Sequence, residues 1–201
     1  MIADADSLSS VRVAGNRDRA AIAATLARAF GDDPATSFIF PDPVLRAKRL
    51  PRLFALLFDE DVTGMRLMTT GGEAATLWRG PGRIRTTRLD LLREAVPLLL
   101  TFGTALSRAL AISDAIDAHL PQGDYWYLHI AGCEPAAQGK GFGGAAVRSG
   151  LERVAASGLP AYLETPLERN ISFYQGLGFE VIADWAVPKD GPRFWSMWRA
   201  V

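Results

Sequence analysis

Four of the seven residues at positions 138–144 are glycines (Gly139, Gly141, Gly143, Gly144), and the run stands where one periodicity gives way to another. Before it, Trp126, Leu128 and Ile130 alternate with Tyr125, Tyr127 and His129, the two-residue repeat of a strand. After it, Val147, Leu151 and Val154 recur at helical spacing, and Gly158 is placed to end that helix in the left-handed C′ position. Glycines at a strand-to-helix turn allow a tight bend and close approach of the backbone to a ligand. The free N–H groups of the helix's first turn, with its dipole, favour an anion of the pyrophosphate type. The bland reading of the same residues is a compact turn without a ligand.

Three phosphate-binding patterns compete for this turn. A P-loop needs Ser or Thr directly after Gly-Lys, and Lys140 is followed by Gly141, so that pattern fails. The dinucleotide pattern G-x-G-x-x-G is met, with Glu164 near the distance of its acidic partner. It belongs in a first β-α unit, however, and here it lies two-thirds along the chain. The third pattern, Q-x-x-G-x-G, is filled by Gln138, Gly141 and Gly143. Lys plus Arg and Asp plus Glu number 22 each, so no overall field favours nucleic acid or an anionic membrane, and any anion site must be local.

Cys133 is the only cysteine, which excludes an internal disulfide, leaves too few soft ligands for a structural zinc and suits a reducing, cytoplasmic setting. No metal site is expected. The first ten residues lack the basic-then-apolar order of an export signal. The most apolar run, 95–106, is too short to span a bilayer, so no membrane partner is expected.

Elsewhere, Arg12 and Val13 read as a short strand, and Asn16 is placed to cap a helix carrying Ile22, Leu26 and Phe30. Gly31, Pro34, Pro41 and Pro43 predict a bent loop, followed by a helix over 45–60. Runs at 65–70 and 73–78 flank Gly71-Gly72, a two-residue hairpin signal. Residues 87–119 look helical, broken near Pro97 or Gly103, and are read as an insertion at about 84–120. A strand at 161–164, a short helix at 170–176 closed by Gly176 or Gly178, and an antiparallel pair at 179–186 and 194–199 complete the chain. The order is β-α-α-β-β, insertion, β-α-β-α-β-β. With no repeat or long linker, this predicts one α+β (α/β) domain over 1–201.

The Q-x-x-G-x-G run, following Cys133-Glu134-Pro135, resembles the acetyl-CoA-binding motif of the GNAT superfamily of N-acetyltransferases. The segment 163–179 resembles that superfamily's second signature: a strand ending in Glu164, then Asn170, then Tyr174 shortly before Gly178-Phe179. Within the superfamily, residues 160–165, Arg169-Asn170, Phe173-Tyr174 and the tail with Val187-Pro188 and Gly191-Pro192-Arg193 are similar to the puromycin N-acetyltransferase branch. The likeness is strongest from Leu128 onward and thin across the insertion. It implies a GNAT-like, mixed, mostly antiparallel twisted sheet of about seven strands flanked by helices. The fourth and fifth strands would splay apart, and the insertion would fall between the third and fourth. It implies an enzyme that moves an acetyl group from acetyl-CoA to the amine of a small molecule by direct transfer in a ternary complex. The rival reading is a non-catalytic acyl-CoA sensor of the same fold. A homodimer is left open.

The resemblance also assigns roles. Ala131, Gly132 and Cys133 on the splayed strand, and Gln138, Gly139, Lys140, Gly141, Phe142, Gly143 and Gly144 on the turn, would bind the cofactor. Asn170 would join them or merely cap its helix, since it stands four rather than seven positions before the tyrosine. Tyr174 is the implied acid that protonates the leaving thiolate, because a phenol keeps its proton at neutral pH. An attacking amine must be neutral, and Glu164 is the candidate base, with His129 as the alternative. Cys133 is not expected to carry the acetyl group. Asp32, Asp33, Asp59, Glu60 and Asp61 either lend a negative edge to the acceptor cleft or are simply solvated, and His119 reads as surface. Trp78, Trp126, Trp185, Trp195 and Trp198 read as core rather than a stacking platform for nucleic acid.

Overall fold

Seven strands, β1 (Val11–Val13), β2 (Met65–Thr69), β3 (Ala74–Arg79), β4 (Trp126–Cys133), β5 (Ala161–Thr165), β6 (Glu180–Ala186) and β7 (Arg193–Arg199), hydrogen-bond into one sheet in the order β1-β2-β3-β4-β5-β7-β6. They belong to a computed structural model that describes residues 10–84 and 95–201. Every neighbouring pair is antiparallel except β4 and β5, which run parallel. This is the mixed, mostly antiparallel sheet expected from the sequence. Between β2 and β3 the turn is longer than a two-residue hairpin: it spans 70–73, with Gly72 at φ 81° and its N–H on the Thr69 carbonyl at 2.9 Å.

Helices cover both faces. On one side lie α1 (Arg19–Ala29), α2 (Pro34–Ile39) and α3 (Pro43–Glu60), joined by α4 (Ala95–Phe102) and α5 (Leu106–His119); α6 (Phe142–Ala155) and α7 (Ile171–Gln175) lie on the other. The loop predicted over 31–43 contains α2. Asp33 accepts hydrogen bonds from the N–H groups of Ala35 (2.8 Å) and Thr36 (3.1 Å), and Pro34 opens the helix. Asp42 and Pro43 start α3 in the same way, two residues earlier than expected. Asn16 does not cap α1. It lies in a 3₁₀ turn, and Asp18 instead accepts the Gly15 N–H at 2.8 Å.

The predicted helical insertion is α4 and α5, broken at Gly103 (φ 52°) rather than at Pro97; its expected start, with Leu89 and Leu92, lies outside the described residues. Among the described residues, Val96–His119 is long and apolar enough by length and composition to cross a membrane, which corrects the short apolar run read from sequence. Its buried side, with Phe102, Ala105, Ile112 and Ala115, packs into the core shared with α1 and α3. At its far end the exposed His119 ring stacks on Trp185 with centroids 4.3 Å apart, and Trp185 stacks on Phe194. The helix pair is thereby pinned to the β6/β7 hairpin.

On the opposite face α6 lies close over β3. A Cβ at Gly150 would fall 2.4 Å from the indole of Trp78, a fully buried residue whose Nε1 donates to Thr76 Oγ1 at 3.0 Å. The glycine sets the distance between helix and sheet. Gly150→Ala gains about 1 kcal/mol of helix propensity, but overpacking costs about 1–3 kcal/mol. We expect a net loss on the order of 1 kcal/mol, read as a lower urea midpoint at unchanged m-value.

Candidate active site

β4 and β5 pair at only two positions, Trp126↔Ala161 and Tyr127↔Tyr162. Beyond them β4 continues to Cys133 against β3, and β5 continues to Thr165 against β7, while the two strands part. A bulge accompanies the parting. Leu77 pairs with Ile130 and Trp78 with Leu128, so His129 is the extra residue on β4. The bulge flips the faces beyond it. Leu128 packs with the α6 core and Ile130 with the α1 and α3 core, although simple alternation put them on the same side.

A cavity of about 520 Å³ occupies the gap. Of the residues expected at the site, Ala131, Gly132, Cys133, Gln138, Gly139, Gly141, Phe142, Gly143, Gly144, Glu164, Asn170 and Tyr174 line it. Lys140 does not; its Nζ donates to the Ala136 carbonyl at 2.9 Å on the surface. Gly139 (φ 75°) and Gly141 (φ 89°) hold the left-handed conformation that lets the chain leave β4 and enter α6. Gly141 is the N-cap and offers no side chain, so the first turn of α6 presents its backbone to the cavity. Gly132 is small for a different reason. A Cβ there would sit 2.7 Å from Leu26 Cδ2, so it admits α1. Asn170 leaves α7 without a side-chain cap and turns Nδ2 to Thr165 Oγ1 at 3.4 Å.

A second cavity, of about 260 Å³, lies between the sheet and the helices α2 to α5. It shares Phe30, Asp33, His129, Glu164 and Pro166 with the first, so the two meet at Glu164. Tyr127 donates its hydroxyl to Glu164 Oε1, whereas Oε2 is buried with no hydrogen-bond partner. Burial pushes the Glu164 carboxyl up to about 7, against the lowering effect of the Tyr127 and Tyr162 hydroxyls. Tyr174, also buried, is raised by that burial and by the charges of Glu164 and Asp33, so it stays protonated through neutral pH. Burial likewise lifts Asp33 to about 6, opposed by the Thr36 and Ala35 N–H groups.

His129, the alternative base, is held by a residue that composition alone leaves on the surface. Its Nδ1 lies 2.8 Å from Oδ2 of Asp61, whose other oxygen takes Nε of Arg79 at 2.7 Å. Arg79 reaches Glu60 at 2.8 Å. Burial would raise Asp61, but His129 and Arg79 outweigh it and hold the carboxyl below its usual range. With Nδ1–H donating to Asp61, a neutral His129 ring keeps its lone pair on Nε2. Burial raises the Cys133 thiol and so disfavours the thiolate, an effect partly offset by the Gly143 N–H.

Residues 109–179 match the family model described as the acetyltransferase (GNAT) family. A solved Corynebacterium glutamicum structure, described as histone acetyltransferase HPA2 and related acetyltransferase, superposes with a TM-score of 0.73 at 26% identity, covering 96% of each chain. In sequence over that stretch and in fold over its length, the chain resembles the GNAT acetyltransferases. The same fold recurs in arylalkylamine N-acetyltransferase 2 of Aedes aegypti, with a TM-score of 0.60 at 12% identity over 96% of this chain and 99% of that one. It recurs again in a polyamine N-acetyltransferase of Drosophila melanogaster, with a TM-score of 0.56 at 13% identity over 96% and 100%. Members of this family use acetyl-CoA as the acetyl donor, and the parted strands with the glycine turn at their mouth are a fitting cradle for it. Sequence reasoning named Asp61 only as one of several acids that either edge the acceptor cleft or are solvated, and it missed Arg79 and Tyr127, because each acts through a partner distant in the chain.

The buried Glu164 carboxylate is a stability liability whose sign can be checked. Its folded value near 7 exceeds the ordinary 4.5, so stability is full below about pH 4.5 and falls as pH rises through 7. The shift amounts to roughly 3 kcal/mol. Denaturant unfolding of Glu164→Gln, which keeps an acceptor for Tyr127, is expected to show the variant gaining on the parent by that order between pH 5 and pH 8.5.

Proposed function

We propose that this chain acts as one domain that acetylates the amine of a small molecule directly, with donor and acceptor bound together. The observation that carries the reading is Glu164 Oε2, a buried oxygen without a partner, placed where the two cavities meet. A buried acceptor left unpaired is costly, and an N–H of an acceptor amine would satisfy it. Several features support the same reading. The printed descriptions of structural neighbours name polyamine and arylalkylamine acetyltransferases. The stretch 160–165 resembles puromycin N-acetyltransferases, and the single free cysteine Cys133 fits a reducing cytoplasm.

The larger cavity would hold acetyl-CoA, with its pyrophosphate on the first-turn amides of Phe142, Gly143 and Gly144 and its pantetheine arm along the free side of Ala131, Gly132 and Cys133. Bound there, it supplies the activated acetyl thioester. Glu164 accepts the amine proton on Oε2, so the nitrogen lone pair is free to form the new C–N bond. Its raised proton affinity places this exchange near neutral pH. Tyr174 delivers its proton to the sulfur as the C–S bond breaks, and the second proton that the nitrogen sheds on becoming an amide restores the phenol. His129, fixed by Asp61, stands beside the same junction and can pass the collected proton outward. The half-buried Cys133, with its thiol favoured over thiolate, is poorly suited to carry the acetyl group, which agrees with direct transfer.

Thiol release from acetyl-CoA with an amine panel tests the reading. Loss of a positioned acid or base costs about 10²–10⁴-fold, so kcat should fall by that order in Glu164→Gln and in Tyr174→Phe, with acetyl-CoA affinity retained. In the parent, kcat/KM should rise with pH to a plateau above about 7 as Glu164 loses its proton. A rise that survives in Glu164→Gln moves the base to His129. Acetyl-CoA binding without turnover of any amine makes the protein a sensor.

A further inference from the structure

The smaller cavity is chemically divided. One end carries the carboxylates of Glu164 and Asp33 where it joins the cofactor cleft, and Asp117 is near enough to Glu164 to raise its proton affinity further. Away from that end the walls are apolar, built by Phe54 and Leu57 of α3, Leu98 and Phe102 of α4, and Leu106 and Leu110 of α5. Among the described residues lining the cavity, the one guanidinium is Arg79, and it is committed to Glu60 and Asp61. At about 260 Å³ the space falls just below the roughly 300–1,000 Å³ typical of drug-sized ligands.

From this division we infer that the acceptor is a compact primary monoamine on an apolar body, aryl or alkyl, bearing neither a carboxylate nor a second cationic group. The inference rests on the acetyl-transfer reading and names its substrate class. The ammonium enters toward Glu164, where negative charge attracts it and a carboxylate can take its proton. A carboxylate on the carbon next to the amine would face Glu164, Asp33 and Asp117, and like charges repel in a partly desolvated site. A second ammonium at the far end would meet leucine and phenylalanine, and the remaining lining carboxylate, Glu60, is already paired with Arg79, so the charge would be partly desolvated with no free counter-ion of its own. Apolar area buried at that end instead stabilises the complex. The helices α4 and α5, which wall the apolar end, therefore set which amine is taken.

Two matched pairs isolate the two exclusions: phenethylamine against phenylalanine, and hexylamine against 1,6-diaminohexane. Turnover with acetyl-CoA and calorimetric binding to the CoA-loaded protein are both measured. We expect phenethylamine and hexylamine to lead their partners by at least tenfold in kcat/KM and in affinity. Leu110→Asp, at a position already 39% exposed, should narrow or invert the hexylamine preference by about tenfold by giving the far ammonium a counter-ion. Equal or better handling of phenylalanine or the diamine, or preference for a lysine-containing peptide, overturns the inference while leaving acetyl transfer standing. Monoamines that bind with the expected preference but are never acetylated leave the cavity assignment intact and sink the transfer reading. If Leu110→Asp loses its native circular dichroism, the parent pairs alone decide.

Discussion

Everything at the site follows from the failure of β4 and β5 to stay paired. Parallel strands that met along their full length would satisfy each other's backbone and leave nothing to bind. Here pairing stops at Tyr127↔Tyr162, and the bulge at His129 falls two residues further along β4. An edge of N–H and C=O groups then needs a partner other than a neighbouring strand, because unpaired buried backbone is expensive. The same divergence puts the end of β4, with its glycine turn, and the end of β5, with Glu164, on opposite sides of one cleft. Strong pairing to β3 and β7 on the outer sides keeps the wedge from closing.

How much of this was legible depends on the range of the interaction. The strand at 126–133, the turn and the helix after it are written in local periodicity and in glycines that must adopt positive φ, so sequence located them to within a residue or two. The sheet type followed from the motif resemblance, and most of the residues it named line the larger cavity. The helix α2 was equally local, since Asp33-Pro34 carries the same cap-and-proline signal as Asp42-Pro43. Its prolines were read as breakers when they mark first turns.

The bulge was not legible, because an extra residue on β4 exists only relative to its register with β3. Without it, Ile130 is assigned to the wrong face. Asp61 was hidden for a related reason. Its partners Arg79 and His129 lie 18 and 68 residues away, and nothing nearby distinguishes it from the exposed Asp59. The acceptor-side cavity drew walls from helices that periodicity could find but could not place against one another.

Two buried carboxylates close to one junction end up with opposite proton affinities, and the difference lies in their partners. Asp61 faces a guanidinium and an imidazole, so its charge is compensated and its proton is lost easily. Glu164 is met by neutral tyrosine hydroxyls and by a guanidinium that is itself committed to Glu60 and Asp61, so burial dominates and its proton is held to near neutrality. Environments that push paired acids apart in this way separate a fixed charge from an exchangeable proton. On the proposed reading, Asp61 orients His129 and stays ionised, whereas Glu164 is the group able to change state during turnover. The missing partner on Oε2 is then the feature the chemistry requires. Pairing it with a protein donor would stabilise the carboxylate, lower its affinity for the amine proton and fill the position the substrate nitrogen must take.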